Sequence, residues 1–219
     1  MADSPEIGDN TLDAISTTVS DTGMDTGAIA SDGDVILVVG APKSRFRVDS
    51  RCLSAASKVF KAMFSSKWSE GRDLSHSEPK HVALPEDDPF AIFVICCVVH
   101  HCNDKVPDSL APQQLLEVAI AADKYDLSVA LKYARPAWLN TAKGSGPELP
   151  LVRDGYHLAA AFAFKDPERF AKISFSLMVN HCGSYMALYK EEAIRNTLPD
   201  MTFRMLAICT CFEVGCGRH

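Results

Sequence analysis

The sequence predicts an α/β fold of the α+β kind: a short sheet flanked by a cluster of helices, with a helical C-terminal tail. Three observations predict it. Two short runs, Val35-Ile36-Leu37-Val38-Val39 and Arg45-Phe46-Arg47-Val48, lie close together between turn residues. From Asp49 the apolar period changes from strand-like to helix-like. That helical pattern then continues to the end of the chain, interrupted by polar loops and one further short strand.

Composition sets the frame. The chain has 219 residues, 47% of them hydrophobic, enough for one sizeable core or a core with a smaller appendage. Its formal net charge of -6 gives the whole no attraction to nucleic acid or to an anionic membrane surface. Residues 1–31 hold no Lys or Arg, are rich in Ser, Thr and Gly, and carry scattered Asp. They cannot bury enough apolar surface to offset chain entropy, so a disordered acidic tail is expected. The basic start and apolar run of a secretory signal are missing, as is the Arg of a mitochondrial presequence. No apolar stretch reaches membrane-spanning length. Eight cysteines without such a signal suit free thiols in a reducing compartment, so a cytoplasmic and/or nuclear location is expected.

The elements follow in order. Ser31-Asp32-Gly33-Asp34 is a turn cluster ahead of the β-branched run Val35 to Val39, which Gly40 and Pro42 close. Arg45 to Val48 alternates polar and apolar, so the two runs form a hairpin through Gly40 to Lys43. Asp49 or Ser50 caps a short helix carrying Leu53, and Ser57 caps a second. In the second, Val59 with Met63 and Phe60 with Phe64 stand four apart, giving one broad apolar face. Gly71 to Pro79 is a loop, and His81 to Leu84 is a third strand. Asp88-Pro89 starts a helix, Phe90 to His101, that is apolar almost all round and so belongs inside the domain. Gln113 to Tyr125 is a helix whose start is weak, because Ala111 offers no cap acceptor. Asp126 to Leu139 is a further helix, bent or ended near Pro136. These elements make a domain over 32–139, joined by a Gly- and Pro-containing linker, 140–150, to a helical region over 151–219. In that region Asp154 to Lys165 is helical, and Asp166-Pro167 leads a helix with Phe170, Ile173 and Leu177 in register, closed by Cys182-Gly183. Thr202 to Phe212 forms the last helix.

Several of these pieces occur together in a recognisable order. They are Gly33-Asp34-Val35-Ile36-Leu37-Val38-Val39-Gly40, Phe46-Arg47-Val48-Asp49-Ser50, and Leu53-Ser54-Ala55-Ala56-Ser57-Lys58-Val59-Phe60-Lys61-Ala62-Met63-Phe64. Leu84-Pro85-Glu86-Asp87-Asp88-Pro89 and Ala121-Ala122-Asp123-Lys124-Tyr125-Asp126 complete the set. The arrangement resembles the BTB/POZ domain, and its wording is most similar to BTB proteins of filamentous fungi. The resemblance covers about half of the chain, from near Ser31 to near Leu139. It implies a protein-interaction fold with no catalytic chemistry and no cofactor, and it implies self-association. In cullin-binding BTB adaptors a hydrophobic-x-acid triplet follows the Met-Phe end of the second helix. Trp68-Ser69-Glu70 stands at that offset from Phe64, so the resemblance implies Trp68 and Glu70 as partner-binding residues. The implied role is an adaptor linking an unknown client protein to a cullin-type ubiquitin ligase. The alternative is a self-associating structural or regulatory scaffold with no ligase role. For Trp68 a second reading stays open, in which the ring folds back over Phe60 or Phe64 to close the core. The family usually has His where this chain has Asp49; a pocket shared with Asp34 would then hold two mutually repelling acids, which argues against a ligand there.

Other constellations carry less. The chain has no Gly-x-Ser-x-Gly, no phosphate-cradling loop and no His-Glu-x-x-His, so an enzyme is not expected. Gly40-Ala41-Pro42-Lys43-Ser44 lacks both the first Gly and the following helix of a phosphate loop. Cys97 with His101 and Cys96 with His100 stand four apart on a helix, and Cys209, Cys211, Cys216 and His219 cluster near the end. No partner ligands attend the first set, the spacing of the second matches no common zinc module, and no metal is expected. Lys43, Arg45, Arg47, Arg51, Lys58, Lys61 and Lys67 concentrate positive charge. Without stacking aromatics this reads as a solvated face suited to an acidic protein partner rather than to nucleic acid.

Overall fold

The computed structural model describes residues 28–41, 43–140 and 149–215, with side chains placed as far as Ala207, that of Asn140 excepted. The expected disordered tail lies outside the described residues up to position 27, as does the expected linker over 141–148. Packing begins earlier than Asp32. Ile29 is buried, and the N–H groups of Ile29 and Ala30 both donate to the Arg47 carbonyl, at 3.1 and 3.0 Å.

The sheet has three strands, β1 (Val35–Val39), β2 (Ser44–Val48) and β3 (Lys80–Leu84), in the order β2-β1-β3. β1 pairs antiparallel with β2, Leu37 opposite Phe46, and parallel with β3, Leu37 opposite Val82. Alternation does the sorting: Val35, Leu37, Val39, Phe46, Val48, Val82 and Leu84 all point into the core, and the intervening residues point away. Gly40 makes the hairpin turn at φ +64°, a conformation that L side chains adopt with strain.

Two short helices follow, α1 (Ser50–Ala56) and α2 (Lys58–Met63). Asp49 caps α1 by accepting from the Arg51 and Cys52 amides, and Ser57 caps α2 by accepting from Phe60 N–H. Phe60 and Phe64 are buried as expected, Phe60 stacking on Tyr125 at 4.5 Å. Val59 departs from the expected apolar face and stands 36% exposed. α3 (Pro89–Val99) is capped by Asp88, which accepts from Ala91 N–H, and seven of its eleven residues are buried. It runs through the middle of the domain, as its lack of a polar face requires. α4 (Pro112–Lys124) has a better start than Ala111 suggested, because Gln114 Oε1 accepts from the Ala111 N–H.

The expected helix over Asp126 to Leu139 is not continuous. Turns span 128–134, and only α5 (Arg135–Asn140) is helical, so Pro136 falls in a first turn, where its missing N–H costs nothing. The tail comprises α6 (Pro150–Ala163), α7 (Pro167–Asn180), α8 (Met186–Lys190), α9 (Glu192–Thr197) and α10 (Asp200–Gly215). α6 begins four residues before the expected Asp154, and α7 ends before Cys182. α8 and α9 are additions to the sequence reading. α6 packs against both α4 and α7, which joins the tail to the domain.

Candidate partner-binding site

The loop that leaves α2 is short of regular structure yet closely tied. Ser65 N–H bonds to Ala62 O, Trp68 N–H to Ser65 O and Gly71 N–H to Trp68 O, and residues Ser69–Gly71 form a 3₁₀ turn. Arg72 Nε donates to Ser66 O at 3.2 Å. From β3, Lys80 Nζ donates to two carbonyls of this loop, Ser69 O and Arg72 O. Gly71 is needed for the closeness of the turn: a Cβ there would lie 2.2 Å from Ser65 O and 2.4 Å from Phe64 C. Lys80 and Gly71 are parts of the site that the sequence reading missed. Their signal was no more than a Lys at a strand start and a Gly in a loop.

The loop displays Trp68, which is 60% exposed. Phe60 and Phe64 stack on one another at 5.8 Å, and the core closes over them without the indole. The reading in which Trp68 folds back over Phe60 or Phe64 is therefore corrected. Glu70 stands two residues on, its Oε2 accepting from Ser69 Oγ at 2.8 Å. Its own backbone N–H, then the Ser69 hydroxyl, holds its carboxyl below the ordinary value, so it is an anion at neutral pH. An exposed indole with a fixed carboxylate beside it suits contact with a protein surface that offers an apolar recess and a cation.

The acidic pair sorts into two separate caps. Asp34 is buried and accepts from Ser50 N–H at 2.8 Å and Ser50 Oγ at 2.6 Å. Asp49 accepts from the Arg51 amide at 2.7 Å and from its guanidinium Nη2 at 3.0 Å. Each carboxylate has its own donors, and the arrangement is structural. His100 ties α3 to α1, with Nδ1 donating to Cys96 O at 2.8 Å and Nε2 accepting from Asp49 N–H at 3.0 Å. Those partners assign the proton to Nδ1 of a neutral ring. Both ring nitrogens are thus engaged with backbone, and burial pushes the Cys97 thiol up to about 12, far from a ligating thiolate. No group of three or more His, Cys, Asp or Glu that could hold a metal occurs among the described residues. The side chains of Cys209, Cys211, Cys216 and His219 lie outside them.

The basic residues divide. Arg47 is half-buried and clamps two loops, Nε donating to Gly33 O at 2.9 Å and Nη2 to His76 O at 2.8 Å, which corrects its reading as a solvated charge. Arg51 pairs with Asp49, and Lys58 lies 3.5 Å from Asp126. Arg45 is exposed. No helix among the described residues is long and apolar enough to cross a membrane.

Set against known proteins, the chain matches no curated protein. The sheet capping a helical cluster, the paired caps Asp49 and Ser57, and the buried central helix α3 all lie within one matched stretch. Residues 30–129 match the family model of the BTB/POZ domain, so over those residues the chain carries a BTB/POZ domain, a protein–protein interaction module.

Proposed function

We propose that the chain is an adaptor that links a client protein to a cullin-type ubiquitin ligase, with Trp68 and Glu70 in the contact. The observation that carries this reading is the exposure of Trp68 on a loop stapled by Lys80. An indole held out in water gains by entering a partner's recess, and a loop already fixed loses little entropy in doing so. Glu70 adds a charge that a cation on the partner can meet. The protein would act in the cytoplasm and/or nucleus. The test is capture of a cullin from native extract by the wild-type chain, compared with Trp68→Ala and Glu70→Ala. Loss of an interface Trp should cost about 2 kcal/mol or more of binding, roughly a thirtyfold drop in affinity. Wild-type chain that captures no cullin would sink the adaptor reading.

A second reading is a self-associating scaffold with no ligase role. It is favoured by Phe175 and Val179, one turn apart on α7, which are 64% and 54% exposed. Sedimentation at micromolar concentration that shows only monomer would sink this second reading, and cullin capture by the wild-type chain is what separates it from the first.

A further inference from the structure

The chain's charge and the outer face of its sheet complement one another. Residues 1–27 contain Asp3, Glu6, Asp9, Asp13, Asp21 and Asp25 and no Lys or Arg. Six of the 28 acidic residues are there, so the rest of the chain balances 22 acids against 22 bases. The whole formal charge of -6 therefore resides in the first 27 residues. Apolar residues are interleaved with those acids, among them Leu12, Val19 and Met24.

The described chain begins beside β2, where the Ile29 and Ala30 N–H groups donate to Arg47 O. Strand register composes the outward face of the sheet. Arg47, Ile36 and His81 form one row across it, and Arg45, Val38 and Ala83 form the next. Ile36 and Val38 are half-buried, while Arg45, His81 and Ala83 are exposed. The Arg47 guanidinium bonds to carbonyls, Gly33 O and His76 O, which leave its charge unneutralised. The face thus has an aliphatic centre bordered by two arginines on one side and a histidine on the other. Its complement is an acidic segment with apolar side chains among its acids.

We propose that this face is the docking site of the chain's own N-terminal segment, residues 1–27, with Asp21 and Asp25 toward Arg45 and Arg47 and Met24 between them over Ile36 and Val38. The reach is sufficient. Asp25 is four residues from Ile29 and Asp21 eight, spanning at most about 14 and 27 Å. Three strands measure only about 10 Å across. Tethering supplies an effective concentration on the order of millimolar, so weak contacts suffice. Docked, the segment keeps the basic face from other acidic partners, and a partner must displace it.

The test uses the full-length chain and a protease that cuts before Asp, with a synthetic peptide of residues 1–27 as the undocked reference. At about 20 mM salt, cleavage before Asp21 and Asp25 should be at least about tenfold slower in the chain than in the peptide, and near 1 M salt the two rates should converge. Arg45→Glu, on an exposed edge position that leaves the core untouched, should abolish the protection at low salt without lowering the melting temperature. Cleavage of the chain at the peptide's rate in low salt overturns the proposal. So does protection that neither salt nor Arg45→Glu moves, since proximity to the folded domain would then explain it. Protection that disappears on dilution overturns it as well, because the occupant would be the segment of a second copy.

Discussion

At the scale of single residues, exposure decides what Trp68 can contribute. A core indole cut to Ala costs a domain about 3–5 kcal/mol. Trp68 is 60% exposed, so Trp68→Ala should leave stability within about 0.5 kcal/mol of wild type. Melting and partner binding measured on the same variant separate the two roles, and a large fall in melting temperature would make the residue structural. Asp49 makes a different prediction. Burial raises its carboxyl, but the Arg51 guanidinium and the Arg51 and Cys52 amides outweigh that, and the net shift is downward. A depressed native value contributes stability above the unfolded value of about 3.9, and the contribution is lost as pH falls through the native value. Asp49→Asn keeps a cap acceptor and removes the titration. Melts stepped from about pH 5 down to pH 3 should therefore fall less steeply for the variant than for the wild-type chain. Parallel curves would show that Asp49 has no part in the acid response.

At the scale of elements, Ser57 ends one helix and begins the next. Its Oγ accepts from Phe60 N–H at 3.0 Å and donates to the Tyr125 carbonyl at the end of α4. Ser57→Ala removes a cap and leaves a buried carbonyl unpaired, which should cost about 2–3 kcal/mol in denaturant melts. The caps at Asp49, Ser57, Asp88 and Asp166 were legible because a short polar side chain stands directly ahead of an apolar period. The ends of α3, α4 and α6 were read to within two residues, but the manner of their closing was not legible. α3, α4 and α6 close on left-handed residues that are not Gly: His101, Asp126 and Lys165, at φ 60°, 51° and 56°. Each closes the same way, for Cys102 N–H bonds to Cys97 O, Leu127 N–H to Ala122 O, and Asp166 N–H to Ala161 O. Without a Gly to mark the stop, the apolar pattern of α3 continues to His101, and Asp126, which ends α4, has the look of a cap that opens a further helix. α8 and α9, of five and six residues, are too short to show a period. The left-handed conformation strains a side chain with a Cβ. His101→Gly should therefore raise stability by about 0.5–1 kcal/mol, and an unchanged or lowered midpoint would mean that the side chain of His101 has a compensating role. The loop site was half legible: the offset of Trp68 and Glu70 could be read, but the exposure of Trp68 depends on Lys80 and Gly71, which no local pattern connects to it.

At the scale of the whole molecule, the BTB/POZ domain and the helical tail share a core. α6 presents Leu158, Ala159 and Ala160, each fully buried, and it packs against α4 of the domain. Small residues allow the helices to approach closely. Arg135, beyond the matched stretch, donates through Nη1 to Phe164 O at 2.9 Å and lies 5.6 Å from the Phe164 ring, closing the end of α6 onto α5. Lys165 also reaches Asp123 at 2.6 Å, but both side chains are well exposed and the pair adds little. The consequence is cooperativity. Leu158→Ala lies outside residues 30–129, yet it should lower the stability of the domain with that of the tail, by about 2–5 kcal/mol. Trp138 provides the probe. It is 1% exposed, and its Nε1 donates to Pro107 O at 2.8 Å, so its emission reports the packed domain. The chain has two tryptophans, and Trp68→Phe leaves Trp138 as the single reporter. In that background, Trp138 emission and far-UV helical signal should unfold at one midpoint, and Leu158→Ala should move both together. A helical signal that falls early while the Trp138 midpoint stays in place would mean that the tail unfolds alone. The domain would then be the cooperative unit, and the buried contacts between α4 and α6 would be too weak to couple them.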